Sequence, residues 1–503
     1  MRVEQAMDKI HDKLVEIIGE TNVISDKNLL DTYFKRYSED FLIKNPIKPK
    51  LVVYVKNNEE IMKILKIANE FNFSVVPISS QVIDANGAEA PYSENTILLD
   101  LTRMDQILVV DLKNRMCMIE PGVTFKQLIP VANEVGLRLL MPLMPSSGKS
   151  VLTSALEREP IILPRYHWDA SDPLLCTEVV FGTGDLFRTG TAAGPGTIEE
   201  QRASGQAQKN PLGPTQFDPF RIIQGAQGSI GIVTWISLKC ELLPDTRKIL
   251  YIQSENLEKV IEFLYVLLKR RFGDELFIVN NLTLASLLRT SHDEINKLQS
   301  NIPSWTLIIG VGGRGPFAKD KIEFLEAELG DIARDQGIQL LSEIKNVSND
   351  EIIRIFQNCA DNPWRLRYLG GSQEIFFITT LDKTPQFISS FKKMVEAKKF
   401  SLENIGIYIQ PLVQGCNCHC EFDIYYKPSD NKMKENARTL FEEASVALME
   451  QGAFFSRPYG IWADEVYKRI SPIVVTALQK VKGIFDPKNV LHPGTLCFKE
   501  ERA

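Results

Sequence analysis

The sequence predicts an α+β protein of two domains. Three observations carry that expectation. The chain has 503 residues, 44% of them hydrophobic and 24% charged, which is more than one ordinary core accommodates. Its first part alternates short β-branched runs with helix patterns, and from about residue 246 the pattern changes to strands between long amphipathic helices. Between these parts lies an aperiodic stretch, 191–220, rich in Gly, Pro, Gln and Thr.

The opening MRVEQAMDKIHDKLVEIIGE reads as an amphipathic helix rather than a secretion signal. Next, KPKLVVYVKNNEEIMKILKIANEFNFSVVPIS gives a strand, a helix with apolar residues at 3.6 spacing and a second strand, a β-α-β unit. NTILLDL, ILVVDLKNRMCMIEPG and LLCTEVVFGTGDLFRTG supply further strands, the last folded into a hairpin by Gly-Thr-Gly-Asp. Residues 191–220 are too long for a plain connection and read as a lid. Later come the helices LEKVIEFLYVLLKRR, KDKIEFLEAELGDIARDQG, QFISSFKKMVEAKK and ENARTLFEEASVALMEQG, with SWTLIIGVGG and CEFDIYY as strands of an antiparallel sheet. The divisions expected are 1–245, 246–450 and a final 451–503 that returns to the first domain.

A net charge of -6 and a pI near 5.7 disfavour nucleic acid as a partner. No window reaches the roughly 20 apolar residues of a membrane span, so a cytoplasmic protein is expected. The eight cysteines are mostly scattered singly, which fits reduced thiols.

Three segments occur in a fixed order: LLDLTRMDQILVVDLKNRMCMIEPGVTFKQL, GAQGSIGIVTWISLKCELLP and GIFDPKNVLHPG. Together they resemble the FAD-linked oxidases, in the vanillyl-alcohol oxidase and 4-cresol dehydrogenase branch. The resemblance implies a PCMH-type FAD-binding domain plus an α+β cap domain over the substrate. VVPISSQVIDANGAEAP is similar to the flavin pyrophosphate loop, where convergent backbone N-H groups need small residues. It implies FAD contacts from Pro77, Ser79, Ser80, Asn86 and Gly87. Pro121, Gly122, Ser150, His167, Gly228, Ile232, Val233 and His492 follow from the other matching segments.

The sequence departs from that family's pattern at several positions. Gln81 and Asp84 stand where relatives carry glycines, and Thr153, Ser154, Glu159 and Pro160 stand where relatives place glycines or small residues beside the flavin. Glu374 replaces the histidine that tethers the flavin in some members, so non-covalent FAD is implied. Trp462 and Ala463 replace a Tyr-Arg pair that holds a phenolate, which points away from para-phenols.

In QGCNCHCEFDIYY, strand alternation sets Cys418, Cys420 and Phe422 on one face and His419, Glu421 and Asp423 on the other. His419 reads first as a substrate-side base, next as a plain strand residue, and last, with Cys416, Cys418 and Cys420, as a metal ligand. Tyr166 is the second candidate for proton transfer. Arg457 suits a substrate carboxylate or, equally, a helix entrance. Trp462 completes the catalytic candidates, and no metal is expected.

The function implied is a flavin dehydrogenase of an alcohol, a hydroxy acid or an aromatic side chain. It would pass electrons to an acceptor protein or flavoprotein paralogue and form an oligomer. The alternatives are a non-catalytic subunit with an eroded FAD site, assembled with an active paralogue, and a binding module that uses the cap alone.

Overall fold

The computed structural model describes residues 2–82, 86, 88–213 and 219–499. Gly87 and Asp84 lie outside the described residues.

The β-α-β unit forms as its pattern dictates. Helix Asn58–Phe71 starts where the Asn57 side chain accepts the Glu60 N-H, and it buries Ile61, Ile64, Leu65 and Ala68, one stripe of 3.6 periodicity. That stripe covers a four-stranded sheet in the order Val23–Ile24, Leu51–Tyr54, Thr96–Asp100, Ser74–Ile78. The last three strands are parallel, and Leu491 of the C-terminal segment bridges Val75 at the far edge.

A second sheet has the order Ile107–Asp111, Met116–Ile119, Gly231–Leu242, Leu174–Phe181, Leu186–Arg188, with Leu137–Leu139 on the end of Gly231–Leu242. The expected hairpin is there, turning at Gly184 with φ 84°. The stretch 191–220 is not a lid in its described part. Ala192 and Ile198 pack on Met116, Met118, Cys176 and Trp235 of the second sheet. Gln201 Nε2 donates to the carbonyls of Ala192 and Gly194. None of its described residues lines either of the two large cavities.

The third sheet is wholly antiparallel, in the order Thr246–Ser254, Trp305–Gly313, Glu275–Asn280, Ile405–Leu412, Asn417–Tyr426, Gly371–Thr379. Long helices cover one face. Cys418, Cys420, Phe422 and Ile424 enter that core, and His419, Glu421, Asp423 and Tyr425 turn to the other face, towards the first two sheets. All eight cysteines are free thiols, and no described helix is long and apolar enough to cross a membrane.

A buried ion triad ties the second sheet to the third. Glu275 Oε1 meets both Arg138, on Leu137–Leu139, and Arg247, on Thr246–Ser254. Its side chain lies across Gly310, where a Cβ would stand 1.9 Å from Glu275 Oε2. Burial alone would raise the Glu275 pKa, but the two guanidinium groups outweigh it and hold the carboxyl below its usual value. Glu275→Ala is expected to destabilise the protein by about 3 to 5 kcal/mol, because two buried arginines lose their counter-charge. A urea midpoint equal to that of the wild type would show the triad to be energetically idle.

Candidate active site

The face of the third sheet that bears Tyr408 and Glu421, the loop 142–149 and the end of helix Lys27–Lys35 enclose a chamber of about 450 Å³. That lies within the roughly 300 to 1,000 Å³ usual for small-molecule sites. A second cavity of about 100 Å³ runs along Pro77–Ser80, Thr153, Gly228, Ile232 and Val233. Glu89 lines both.

One chamber wall is a buried charge network. Arg365 is held by Glu421 and by Asp423 Oδ1 at 3.1 Å, with Glu374 Oε1 at 3.5 Å, and its guanidinium covers the Trp364 ring at 4.1 Å. Glu421 Oε2 takes a hydrogen bond from His419 Nε2 at 2.8 Å. Burial works to raise the Glu421 pKa, yet Arg365 and His419 outweigh it and hold the carboxyl far below the usual range. Asp423 goes the other way: burial, then the Glu421 charge, push its pKa up, against the opposing pull of Arg365. Burial pushes His419 below its ordinary 6.5, against the opposing pull of Glu421, so the imidazole is neutral near pH 7.

His419 itself stands one layer behind the chamber, edged by Trp168, Phe376 and Tyr408, and the residue that faces the cavity is Glu421. Arg457 does face it, 5% exposed, with its guanidinium 4.0 Å over the Phe376 ring. Among the described residues Arg457 makes no ion pair within 4 Å, because nearby Glu159 is engaged by Lys149 Nζ at 2.5 Å.

Three expected site residues are elsewhere. The Tyr166 hydroxyl is committed to Glu241, outside both cavities. His167 lies exposed in a surface turn, its backbone N-H given to Asp172 at 2.9 Å, while its neighbour Trp168 is the buried member of the pair. Trp462 is a core residue between Phe376, Phe441 and Phe455, with Nε1 donating to Ser445 at 2.9 Å. An indole with that many aromatic neighbours gains more from packing than from facing water.

The cofactor-side residues divide into a lining layer and a supporting one. Pro77, Ser79, Ser80, Gly228, Ile232 and Val233 line the smaller cavity, and Asn86, with φ 43°, lines the chamber. Gly228 must be glycine: its φ is +70°, and a Cβ would lie 2.5 Å from Pro77. The Ser79 and Thr153 hydroxyls hydrogen-bond to each other. Behind them Ser150 caps helix Val151–Leu156, donates its backbone N-H to Ser80 Oγ at 3.1 Å, and donates its hydroxyl to the Pro121 carbonyl at 2.6 Å. Gly122 donates to Met104 at 2.6 Å, also behind the lining. His492 is fully buried, its ring nitrogens 2.8 Å from the Gln227 carbonyl and 2.9 Å from that of Ala90, so it fastens two loops beside the cavity. Burial works to lower its pKa against those two carbonyls.

Sequence reasoning missed Arg365, Lys149, Arg36 and Glu89. The alternation that selected His419 had already set Glu421 on the same face, a usable signal. Arg36 and Glu89 are 53 residues apart and meet only in the fold.

Comparison with known proteins places this geometry. Residues 49–190 match the FAD binding domain family. Over 98% of the chain and 97% of the relative, the sequence is 24% identical to glycolate oxidase subunit GlcD of Bacillus subtilis. It is 22% identical to the 4-cresol dehydrogenase [hydroxylating] flavoprotein subunit of Pseudomonas putida, over 96% of the chain and 94% of the relative. The fold is shared with p-cresol methylhydroxylase with substrate bound, at a TM-score of 0.82 and 18% identity, covering 98% of this chain and 97% of that one.

FAD is the cofactor of such a domain, and the residues present fit it in shape and in donors. Glu89 lines both cavities, glycine keeps the loop at 228 close to Pro77, and the hydroxyls of Ser79 and Thr153 line the smaller cavity.

The depressed pKa of His419 has a consequence for stability. As pH falls through 6.5 the unfolded chain takes up the proton first, so the native state loses stability below that point. His419→Gln is expected to flatten the pH dependence of the urea midpoint below pH 6.5, and an unaltered slope would contradict the assignment.

Proposed function

We propose that this chain, an FAD-linked oxidase by its fold and its FAD-binding domain, is a dehydrogenase that oxidises a small 2-hydroxy acid in the chamber. Bound FAD would supply the hydride acceptor. The rest falls to side chains of the chain. Arg457 takes the substrate carboxylate in its planar fork, with Phe376 supporting the guanidinium from below. The Glu421 carboxylate, fixed on one oxygen by Arg365 and on the other by His419, accepts the hydrogen bond of the substrate hydroxyl. Neutral His419 behind it donates its Nε2–H to the carboxylate and so positions it, and the proton of the hydroxyl passes to Glu421. Trp364, Phe376 and Tyr408 present apolar walls that limit water around the reacting carbon.

The observation that carries this reading is Arg457: a buried fixed cation that faces the chamber with no carboxylate within 4 Å among the described residues. A phenolate would present a single oxygen to that fork, and Trp462 and Ala463 supply no further partner. Glu374, paired with Arg365, leaves no imidazole at that strand for a covalent flavin link.

A second reading, a non-catalytic subunit, is favoured by one feature. The carboxylates of Glu89 and Glu157 line the smaller cavity, where a diphosphate would meet like charge.

Purified protein is expected to show flavin absorbance near one FAD per chain, and acid precipitation should release the flavin into the supernatant. Glycolate or D-lactate should bleach it anaerobically. Arg457→Lys should weaken binding of the acid by about tenfold or more, since a charged bidentate contact contributes about 1.5 to 3 kcal/mol. Colourless protein would favour the non-catalytic subunit, and rapid bleaching by 4-cresol with none by 2-hydroxy acids would overturn the substrate assignment.

A further inference from the structure

We propose that Arg36 is a cofactor-phosphate residue and that Glu89 holds its place until the dinucleotide arrives. The proposal rests on the FAD reading above and adds a residue outside the matched domain, since Arg36 closes the helix Lys27–Lys35.

Arg36 is fixed in a way that suits handing over its fork. Nε donates to Glu89 Oε2 and Nη2 to Glu89 Oε1, both at 2.7 Å. Nη2 also donates to the carbonyls of Ser80 at 2.9 Å and Val82 at 3.2 Å, so the loop 80–82 holds the guanidinium whether or not Glu89 does. The two side chains are 13% and 9% exposed. Burial opposes the Arg36 charge, but the Glu89 carboxylate outweighs burial and raises its pKa, so the cation persists at all relevant pH.

The position of the pair gives it a function. Glu89 lines both the chamber and the smaller cavity, so an FAD that reached from one into the other would lie against it. The diphosphate lies between the two ends of that molecule, so its charge arrives where a carboxylate occupies a bidentate fork. A guanidinium fork matches phosphate as well as carboxylate. Leaving Glu89 in place would set like charges side by side, and turning it away gives Arg36 to the phosphate. The same arrangement recurs at Glu157, whose carboxylate lies 3.3 Å from Lys149 Nζ. Each acid that lines the smaller cavity thus stands against a cation that phosphate can claim.

Quenching of flavin fluorescence in the full chain tests this, with FAD and riboflavin as the two probes, because riboflavin carries no phosphate. Glu89→Gln is expected to lower the Kd for FAD by about tenfold and Arg36→Gln to raise it by about tenfold or more, the effect of a charged bidentate contact. Riboflavin should be unmoved by either. Arg36→Lys, which keeps charge but loses the fork, should fall between, and it carries the test if Arg36→Gln does not fold. FAD binding gained only in Glu89→Gln supports the proposal. Wild-type binding of FAD with no change in any variant overturns it and leaves the flavin reading intact. Equal shifts for riboflavin and FAD also overturn it. No FAD binding in any form sinks both.

Discussion

A charge removed from water must find a partner inside, and this chain buries an unusual number of them around one cavity. Arg365 is the centre of that constraint. Its guanidinium requires Glu421, Asp423 and Glu374, and those carboxylates are presented by neighbouring antiparallel strands whose register sets Glu374 opposite Asp423. One carboxyl held low, one pushed up and an imidazole pushed down follow from the same network. The strand pairing of the third sheet thereby sets the charges of the chamber wall against one another.

That constraint also separates Arg457 from the other cations. Arg365 is saturated by carboxylates, Lys149 by Glu157 and Glu159, and Arg36 by Glu89, so each is neutralised before a ligand arrives. Arg457 stacks on an aromatic ring instead, an arrangement that stabilises a cation without occupying its donors. Among the described residues Arg457 is consequently the buried acceptor-seeking cation of the chamber, and an anionic substrate complements it.

Much of the architecture was legible in the sequence because periodicity is a local property. The stripe Ile61, Ile64, Leu65, Ala68, the hairpin at Gly184 and the alternation through Cys418–Asp423 each depend on residues a few positions apart. The resemblance to the FAD-linked oxidases located the lining at Pro77, Ser79, Ser80, Gly228, Ile232 and Val233. It failed at Tyr166, His167 and Trp462. There a position equivalent in order along the chain is not equivalent in space, since the aromatic core claims Trp462 and a surface turn displaces the Tyr-His step. Arg36, Glu89 and Arg365 lay beyond sequence reasoning for a further reason. Ion pairs between distant segments carry no periodic signal, and Arg365 comes from a short irregular stretch before its strand. The aperiodic stretch after 190 was misread because a long loop was taken to need a function, whereas its apolar residues simply cover the outer face of the second sheet.

The loss of glycines at the cofactor loop changes what that loop can do, and the change has a direction. Glycine lets backbone N-H groups converge on phosphate; a serine or threonine adds a hydroxyl that both donates and accepts. In this chain the Ser79 and Thr153 hydroxyls meet each other across the groove, and Ser80 takes the N-H of Ser150. Hydroxyls satisfied in this way already have partners before a ligand arrives. The ion pair of Arg36 and Glu89 follows the same logic with charge. Bound phosphate must then replace interactions of similar strength rather than fill a vacancy, so affinity is set by the difference between two well-satisfied states. Weaker and more readily reversed cofactor binding is the expected cost of such a groove, and a protein fold that does not depend on its cofactor is the corresponding gain.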